Sequence, residues 1–180
     1  HWLGLDNLGR DVLSRLLYGA RLSIGLSLLI TSLSFSLGVF GGFSAAVLGK
    51  TADMVLSRIV DLLLSMPALI FAMVVLSVLG TDLIVLVVTI CLLDATRIFR
   101  VSRALAMNIV ALDFVEAARL RGEGLWWIVR REVLPNAVLP LVAEFGLRFC
   151  FTFLFISALS FLGLGIQPPT ADWGSMVKDY

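Results

Sequence analysis

The stretch DFVEAARLRGEGLWWIVRREVLPN, residues 113–136, is the most charged part of a chain that is otherwise strongly apolar. It contains two short amphipathic helical patterns, which are separated by Gly122 and Gly124 and followed by Pro135. Long apolar segments lie on both sides of it. We therefore interpret these residues as the polar surface through which a membrane protein contacts a soluble partner.

The composition indicates that the solvent of this chain is a lipid bilayer. Of its 180 residues, 59% are hydrophobic and 15% are charged, and the mean hydropathy is +1.01. Soluble domains are about half apolar and about a quarter charged. The polar surface is therefore too small to cover a globule in water. The net charge of +1 gives no indication of nucleic-acid binding.

Four membrane spans are predicted, at about 22–49, 58–80, 83–107 and 137–161. The first contains 28 residues without a formal charge, more than the ~20 needed to cross the hydrocarbon core. Its many serines and glycines favour close helix packing, although they could also line a polar pathway. Pro67 is expected to kink the second span. The short turn at 80–83 makes the second and third spans antiparallel neighbours.

Charged residues inside the predicted spans have nearby partners of opposite charge. The expected pairs, three or four residues apart on a helix, are Arg58–Asp61, Asp94–Arg97 and Glu144–Arg148. Arg100 and Arg103 are expected to extend toward the membrane interface. Neutralising pairs explain these charges, but intramembrane carboxylates are also candidates for ion or proton coupling.

The distribution of basic residues predicts which side of the membrane each connection faces. Seven of the fourteen lysines and arginines lie between Arg97 and Arg131. Because positive charge concentrates in cytoplasmic loops, this region and the link at 50–58 are expected in the cytoplasm. The N-terminal segment, the 80–83 turn and the tail after residue 160 then fall outside. That tail, with its glycines and the Pro168–Pro169 pair, is predicted to be a structured loop.

Sequence signals predict where the first helix of the charged stretch begins and ends. Asp113, with Glu116 three residues later, is expected to form a capping box. Gly122 is expected to end the helix in a left-handed conformation. Ala117 and Ala118 are interpreted as a smooth patch that another protein could approach closely.

The second helix is predicted from Leu125 to about Leu134, where Pro135 ends the pattern. Leu125, Ile128, Val129 and Val133 share one face at helical spacing. Trp126 and Trp127 are expected either to anchor the helix at the interface or to enter a partner's groove. The simpler interpretation of the whole stretch is an interfacial amphipathic loop.

The run Glu116-Ala117-Ala118, followed by Gly122 and later by Leu134-Pro135, resembles the EAA loop of binding-protein-dependent ABC importer permeases. Two further motifs, LGLDNLGRDVLSRLLYGAR (residues 3–21) and LSFLGLGIQPPTADWGSM (residues 159–176), are similar to the dipeptide/oligopeptide/nickel branch. One residue departs from the pattern, because the family often has His where Glu132 stands. The loop spacing is intact.

The resemblance implies an all-α, polytopic transmembrane helical bundle with the type I ABC importer permease fold. It implies one permease domain over 1–180, a cytoplasmic EAA coupling loop at 108–136 and an extracytoplasmic loop at 162–180. Six spans are usual, so we expect a fragment without the first and last. The expected ATPase-coupling residues are Glu116, Ala117, Ala118, Gly122, Leu125, Leu134 and Pro135. The expected extracytoplasmic loop residues are Phe161, Gly163, Gly165, Pro168, Pro169, Trp173 and Gly174.

The resemblance also implies the partners and the mechanism. The permease would be a multi-pass protein of the inner (plasma) membrane that pairs with a homologous permease, with cytoplasmic ATPase subunits and with an extracytoplasmic solute-binding protein. ATP and Mg would be used by the ATPase subunits, and the permease itself would bind no cofactor or metal and catalyse no reaction. ATP-driven closure of the ATPases would be transmitted through the coupling loop to the spans.

Other functions are weighed against this one. The sequence contains no G-x-x-x-x-G-K-[ST] phosphate loop and no convincing catalytic set, which disfavours an intramembrane enzyme. An ion-coupled secondary transporter or channel would use Asp94, Glu144 and Arg148, but it would need no ATPase dock. Di- or oligopeptides are the expected substrate, and nickel, opines, glutathione and sugars remain open.

Overall fold

The computed structural model describes residues 4, 6, 9–167 and 169–179, and within these ranges the chain forms helices and turns without a β-strand. This confirms the all-α prediction. In chain order the elements are α1 (Val12–Leu48), α2 (Lys50–Leu64), α3 (Ala68–Leu79), α4 (Leu83–Val110), α5 (Asp113–Leu120), α6 (Leu125–Ile128), a π-helical turn (Val129–Val133), α7 (Leu134–Phe161) and α8 (Trp173–Asp179).

Two helical runs among the described residues, Val12–Leu48 and Leu125–Phe161, are long and apolar enough to cross a membrane. A third span results if α2 and α3 are taken together, although the chain bends by 80° between them. The predicted kink at Pro67 is therefore a break between two helices. Helix α4 has 28 residues but carries four charged side chains, and it is not among these candidates. The number of four spans stays a prediction.

Helix α1 begins with a side-chain cap. The backbone N–H and the hydroxyl of Ser14 donate hydrogen bonds to the Asp11 carboxylate, at 3.1 and 2.7 Å. The bond from the Ser14 hydroxyl holds the pKa of Asp11 below its usual value. An aspartate just before an amphipathic pattern predicts a short capped helix here. The cap is present, but the helix continues for 37 residues into the first span.

The chain divides into two compact units, each of which takes part of α1, α4 and α7. The bracket unit comprises residues 33–66 and 92–147. It contains α2, α5, α6 and the π-helical turn. The tail unit comprises residues 1–32, 67–91 and 148–180. It contains α3 and α8.

Small residues bring α1 and α4 into close contact in the bracket unit. A Cβ atom on Gly38 would lie 2.6 Å from the Cβ of Ile98, and one on Gly42 would lie 2.7 Å from the backbone nitrogen of Arg103. The buried hydroxyl of Ser102 donates to the backbone oxygen of Gly38 at 3.0 Å. These contacts confirm close packing as the role of this part of the small-residue segment.

Helix α2 is joined to α4 by two ion pairs. The guanidinium of Arg100 contacts the carboxylate of Asp61 at 2.6 Å, and Arg103 donates through two nitrogens to Asp53. The hydrogen bonds from Arg103 lower the pKa of Asp53, which lies in the predicted polar link. The predicted Arg58–Asp61 pair is wrong, and so is the expectation that Arg100 and Arg103 simply extend toward the interface. Both arginines find their partners on a neighbouring helix.

The other pairs expected within the spans have different outcomes. Asp94 and Arg97 form the predicted pair, with 3.6 Å between Oδ1 and a guanidinium nitrogen. The carboxylate is buried, while the arginine remains partly exposed. The Glu144–Arg148 pair stays a prediction.

Candidate functional site

Helix α5 begins without the predicted side-chain cap. Its N-cap residue is Leu112, and no side chain bonds to the free backbone N–H groups there. Asp113 is the first helical residue, so its carboxylate acts only as a negative charge near the helix N-terminus. The capping box of Asp113 and Glu116 is therefore wrong, because the helix starts one residue earlier in the pattern than the box requires.

The end of α5 is a complete Schellman motif. Gly122 has φ +82°, its N–H donates to the oxygen of Arg119 at 2.9 Å, and the N–H of Glu123 donates to the oxygen of Ala118 at 3.2 Å. The second of these bonds is the six-residue closure that characterises the motif. The predicted turn at Gly122 is confirmed, and it separates α5 from α6.

One face of α5 is buried in the core of the bracket unit. Val115 and Ala118 are fully buried. They belong to one apolar cluster that contains residues from α1, α4, α6, the π-helical turn and α7. Its buried members are Phe43, Ala106, Ile109, Val115, Ala118, Ile128, Val133, Ala137 and Leu141. Helix α5 is thus fixed to the helices on both sides of the charged stretch.

The opposite face of α5 is exposed. Glu116 and Ala117 are exposed, Leu120 is 84% exposed and Leu125, after the turn, is 47% exposed. The predicted patch of two alanines is wrong, since Ala118 points inward. Adjacent residues on an α-helix lie about 100° apart, so one of the two can be buried while the other is exposed. The outward surface combines a carboxylate, a small residue and two leucines.

The two alanines are expected to respond differently to enlargement. Ala118→Leu should lower the stability of the protein by about 1–3 kcal/mol, because it adds atoms to a filled core. Ala117→Leu, one residue away on the exposed face, should leave stability nearly unchanged and serves as the matched control. The midpoint of thermal unfolding of the two variants in detergent checks this. Equal midpoints would contradict the inward placement of Ala118.

The second half of the charged stretch continues directly into α7. Helix α6, the π-helical turn and α7 form one helical run, Leu125–Phe161. The prediction that Pro135 ends the helix is wrong. Proline has no N–H to donate, and the wider π-helical turn before it changes the bonding. The N–H of Leu134 donates to the oxygen of Val129, five residues back. Leu134 and Pro135 are both exposed.

Asp172 fastens the C-terminal tail to α1 in the tail unit. The fully buried carboxylate accepts hydrogen bonds from the Ser23 hydroxyl at 2.8 Å and from the backbone N–H of Ser175 at 3.1 Å. The indole N–H of Trp173 donates to the oxygen of Leu16 at 2.9 Å. The tail is therefore a docked structure, and its end is helical. Trp173 and Gly174 were predicted to lie in a loop, and that prediction is wrong, because both belong to α8.

The glycines of the tail allow its close packing. A Cβ atom on Gly165 would lie 2.5 Å from the Cα of Ser160, and one on Gly174 would lie 2.5 Å from the oxygen of Ser157. Gly163 has φ +82°. Phe161 and Pro169 are exposed, whereas Pro168 lies outside the described residues.

Three contacts were not predicted from the sequence. They are the bonds of the buried Asp172 carboxylate, the contact of Ser102 with α1 and the contact of Phe40 with Trp126. The rings of Phe40 and Trp126 meet edge to face at 5.9 Å. A carboxylate followed by Trp-Gly could have suggested a helix cap at Asp172. The other two contacts join residues that are far apart in the chain, so no local pattern marks them. Within the described ranges, no group of three or more His, Cys, Asp or Glu side chains is placed to hold a metal ion.

Comparison with known proteins gives the class of this chain. The family described as the inner membrane component of binding-protein-dependent transport systems matches residues 38–180. The match covers α2 to α8 and the C-terminal end of α1. The chain belongs to this family.

Individual relatives extend the similarity over almost the whole chain. It is 41% identical to the di/tripeptide transport system permease protein DppC of Pseudomonas aeruginosa, 37% identical to the dipeptide transport system permease protein DppC of Escherichia coli K12 and 33% identical to the glutathione transport system permease protein GsiD of Pectobacterium atrosepticum. Each alignment covers 99% of this chain and 60% of the relative. The chain thus spans about three-fifths of the length of these relatives.

Proposed function

We propose that this chain forms part of the translocation pathway of an ATP-driven importer that moves di- or oligopeptides across the inner membrane. The observation that carries the proposal is the placement of α5, which is buried on one face and exposed on the other. Helix α5 is sealed by Val115 and Ala118 into a core shared with α1, α4 and α7, while its other face is exposed. Such a helix can receive force from a soluble partner and pass it to membrane helices.

The cytoplasmic partner would be an ATPase subunit. The exposed face offers Glu116 and Ala117, with Leu120 and Leu125 on either side of the Gly122 turn. A small residue flanked by leucines suits a shallow apolar groove, and the carboxylate would set the register. When ATP closes the ATPase pair, displacement of α5 would move the filled core as one body, because packed interiors resist compression.

The proposed topology has four spans in this chain, with the 108–136 loop in the cytoplasm and the 162–180 segment outside. Helix α4 would be the third span, and its charges support this assignment because Asp94 pairs with Arg97 while Arg100 and Arg103 pair with α2. A homologous permease would complete the pathway. The docked tail, with Asp172 as its anchor, would face the solute-binding protein.

Peptides are the proposed substrate because the names of three relatives refer to di- or tripeptide, dipeptide and glutathione transport, and glutathione is itself a tripeptide. Nickel or another small solute is the alternative within the same importer class. An ion-coupled carrier is the second candidate function, and the buried carboxylate of Asp94 is the observation that favours it.

Transport driven by ATP and by an ion gradient can be separated in one experiment. The full-length protein, its partner permease, the ATPase subunits and the binding protein are reconstituted in proteoliposomes, and uptake of a radiolabelled dipeptide is measured. We expect uptake to require ATP and the binding protein and to persist when ionophores collapse all ion gradients. Uptake that needs a gradient and no ATP would contradict the proposal.

Replacing the buried carboxylate supplies a second arm of the same assay. Asp94→Asn is expected to retain nearly all ATP-driven uptake, since an ATP-driven importer does not use the carboxylate that pairs with Arg97 to couple an ion gradient. Loss of uptake in a variant that assembles normally would favour the ion-coupled carrier.

A further inference from the structure

A cavity of about 320 Å³ lies at the start of the helical run Leu125–Phe161. It is lined by two aromatic and two basic residues, Trp126, Trp127, Arg130 and Arg131. Each tryptophan precedes an arginine by four residues, a spacing that brings side chains to the same side of a helix. The cavity therefore combines two indole walls with two guanidinium groups.

The two arginines have no acidic partner within the part of the chain that the structure describes. Arg130 and Arg131 are exposed and make no ion pair or side-chain hydrogen bond there. Glu132, the next residue, does not line the cavity. A guanidinium group offers five N–H donors in a planar fork that matches the oxygens of a phosphate group. Two such groups side by side form a receptor for a phosphate anion.

Both aromatic walls are exposed, and one of them packs against a neighbouring helix. Trp126 is 62% exposed and Trp127 is 37% exposed, while Trp126 packs edge to face on Phe40 of α1. The buried side chains of Ile128 and Val133 set the rotation of the helix and so direct the cavity outward. Exposed indoles are unfavourable in water, but they are the typical side chains at the headgroup level of a bilayer.

The position of the cavity along the helix agrees with the headgroup level of a bilayer. The run Leu125–Phe161 is apolar enough to cross a membrane, and Arg130 and Arg131 lie in its first two turns. Beyond the neighbouring Glu132, no charged residue follows until Glu144. This end of the span therefore lies where lipid headgroups are. Its arginines belong to the cluster that predicts the cytoplasmic side, whose leaflet carries anionic lipids.

We propose that this cavity binds the phosphate headgroup of an anionic phospholipid, with Arg130 and Arg131 contacting the phosphate and Trp126 and Trp127 flanking the glycerol. The site goes beyond the proposed function and rests only on the placement of the chain in a membrane. A lipid bound there would anchor the junction between the bracket and α7, and the lipid composition would then influence coupling.

The test measures lipid retention directly. The full-length protein, assembled with its partner subunits in detergent, is titrated with short-chain phosphatidylglycerol or phosphatidylcholine, and bound lipid is counted by native mass spectrometry. Arg130→Gln with Arg131→Gln should reduce the preference for phosphatidylglycerol by about 30-fold, which is about 2 kcal/mol at 1.4 kcal/mol per tenfold, the contribution of two arginines near an anionic surface. Arg119→Gln with Arg121→Gln, which alters two exposed arginines of α5 and its C-cap, is the matched control and should keep the preference.

Further arms separate a lipid site from a free-phosphate site and from a protein contact. Arg130→Lys with Arg131→Lys should retain most of the preference, and Arg131→Gln alone should lose part of it. These variants keep the proposal testable if Arg130→Gln with Arg131→Gln does not fold. Displacement of phosphatidylglycerol by an equal concentration of inorganic phosphate would overturn the proposal in favour of a free-phosphate site. Unchanged lipid preference together with weakened ATPase binding would overturn it in favour of a protein contact. The proposed function is tested separately by measuring ATP-dependent uptake in vesicles of phosphatidylcholine, which contain no anionic lipid.

Discussion

Gly122→Leu is expected to reduce the proposed ATP-driven peptide uptake by about tenfold while leaving membrane insertion intact. Gly122 holds φ +82° in the Schellman motif that ends α5. A side chain in this conformation costs about 1–2 kcal/mol, and 1.4 kcal/mol corresponds to a factor of about ten. A Cβ atom there would meet nothing within 4 Å, so the effect comes from the backbone and not from a clash. Co-purification of the ATPase subunits and uptake in proteoliposomes measure the result.

The control for this prediction is two residues away. Gly124 has φ −69° and ψ 154°, which any residue adopts, and a Cβ atom there also meets nothing within 4 Å. Gly124→Leu should therefore assemble and transport far better than Gly122→Leu. Gly122→Asn should regain part of the activity, because asparagine tolerates the left-handed conformation. Normal assembly and import by Gly122→Leu would disprove coupling through this turn.

Gly42→Ala is expected to lower the stability of the protein by about 1–3 kcal/mol, although alanine usually favours a helix over glycine. The new Cβ atom would lie 2.7 Å from the backbone nitrogen of Arg103 and 2.8 Å from the backbone oxygen of Phe99. Backbone atoms cannot rotate away as a side chain does, so α1 and α4 would have to separate. The midpoint of thermal unfolding in detergent measures the loss.

Gly146→Ala in α7 supplies the matched control. It also lies within a long helix, but a Cβ atom there would meet nothing within 4 Å. The midpoint of this variant should stay the same or rise, since only helix propensity changes. If Gly42→Ala and Gly146→Ala shifted the midpoint equally, the close approach of α1 and α4 would not matter for stability.

Features that depend on a few neighbouring residues were predictable. The turn at Gly122, the cap at Asp11, the break at Pro67 and the Asp94–Arg97 pair all follow from local backbone geometry or from helical spacing. The charged stretch was also recognisable, because its motif resembles the EAA loop. The matching family confirms that resemblance. The roles of the individual coupling residues remain predictions.

Features that depend on which helices become neighbours were not predictable. Asp61 has two candidate arginines, Arg58 on its own helix and Arg100 on α4, and spacing alone favoured the wrong one. Ala117 and Ala118 look equivalent in sequence, yet only packing decides which is buried. Asp172 is 149 residues from Ser23, so its bond is visible only after the tail docks on α1.

By itself, the sequence determined that this protein is helical, that it lies in a membrane and that residues 113–136 form a charged stretch resembling the EAA loop. Composition and short-range spacing suffice for these conclusions, because bilayers and helix termini impose local requirements. Only the tertiary structure decided that α5 turns Ala118 inward, that Pro135 lies within a continuous helix and that the tail is pinned at Asp172. Those outcomes arise from burial against distant segments, and burial is a property of the packed chain.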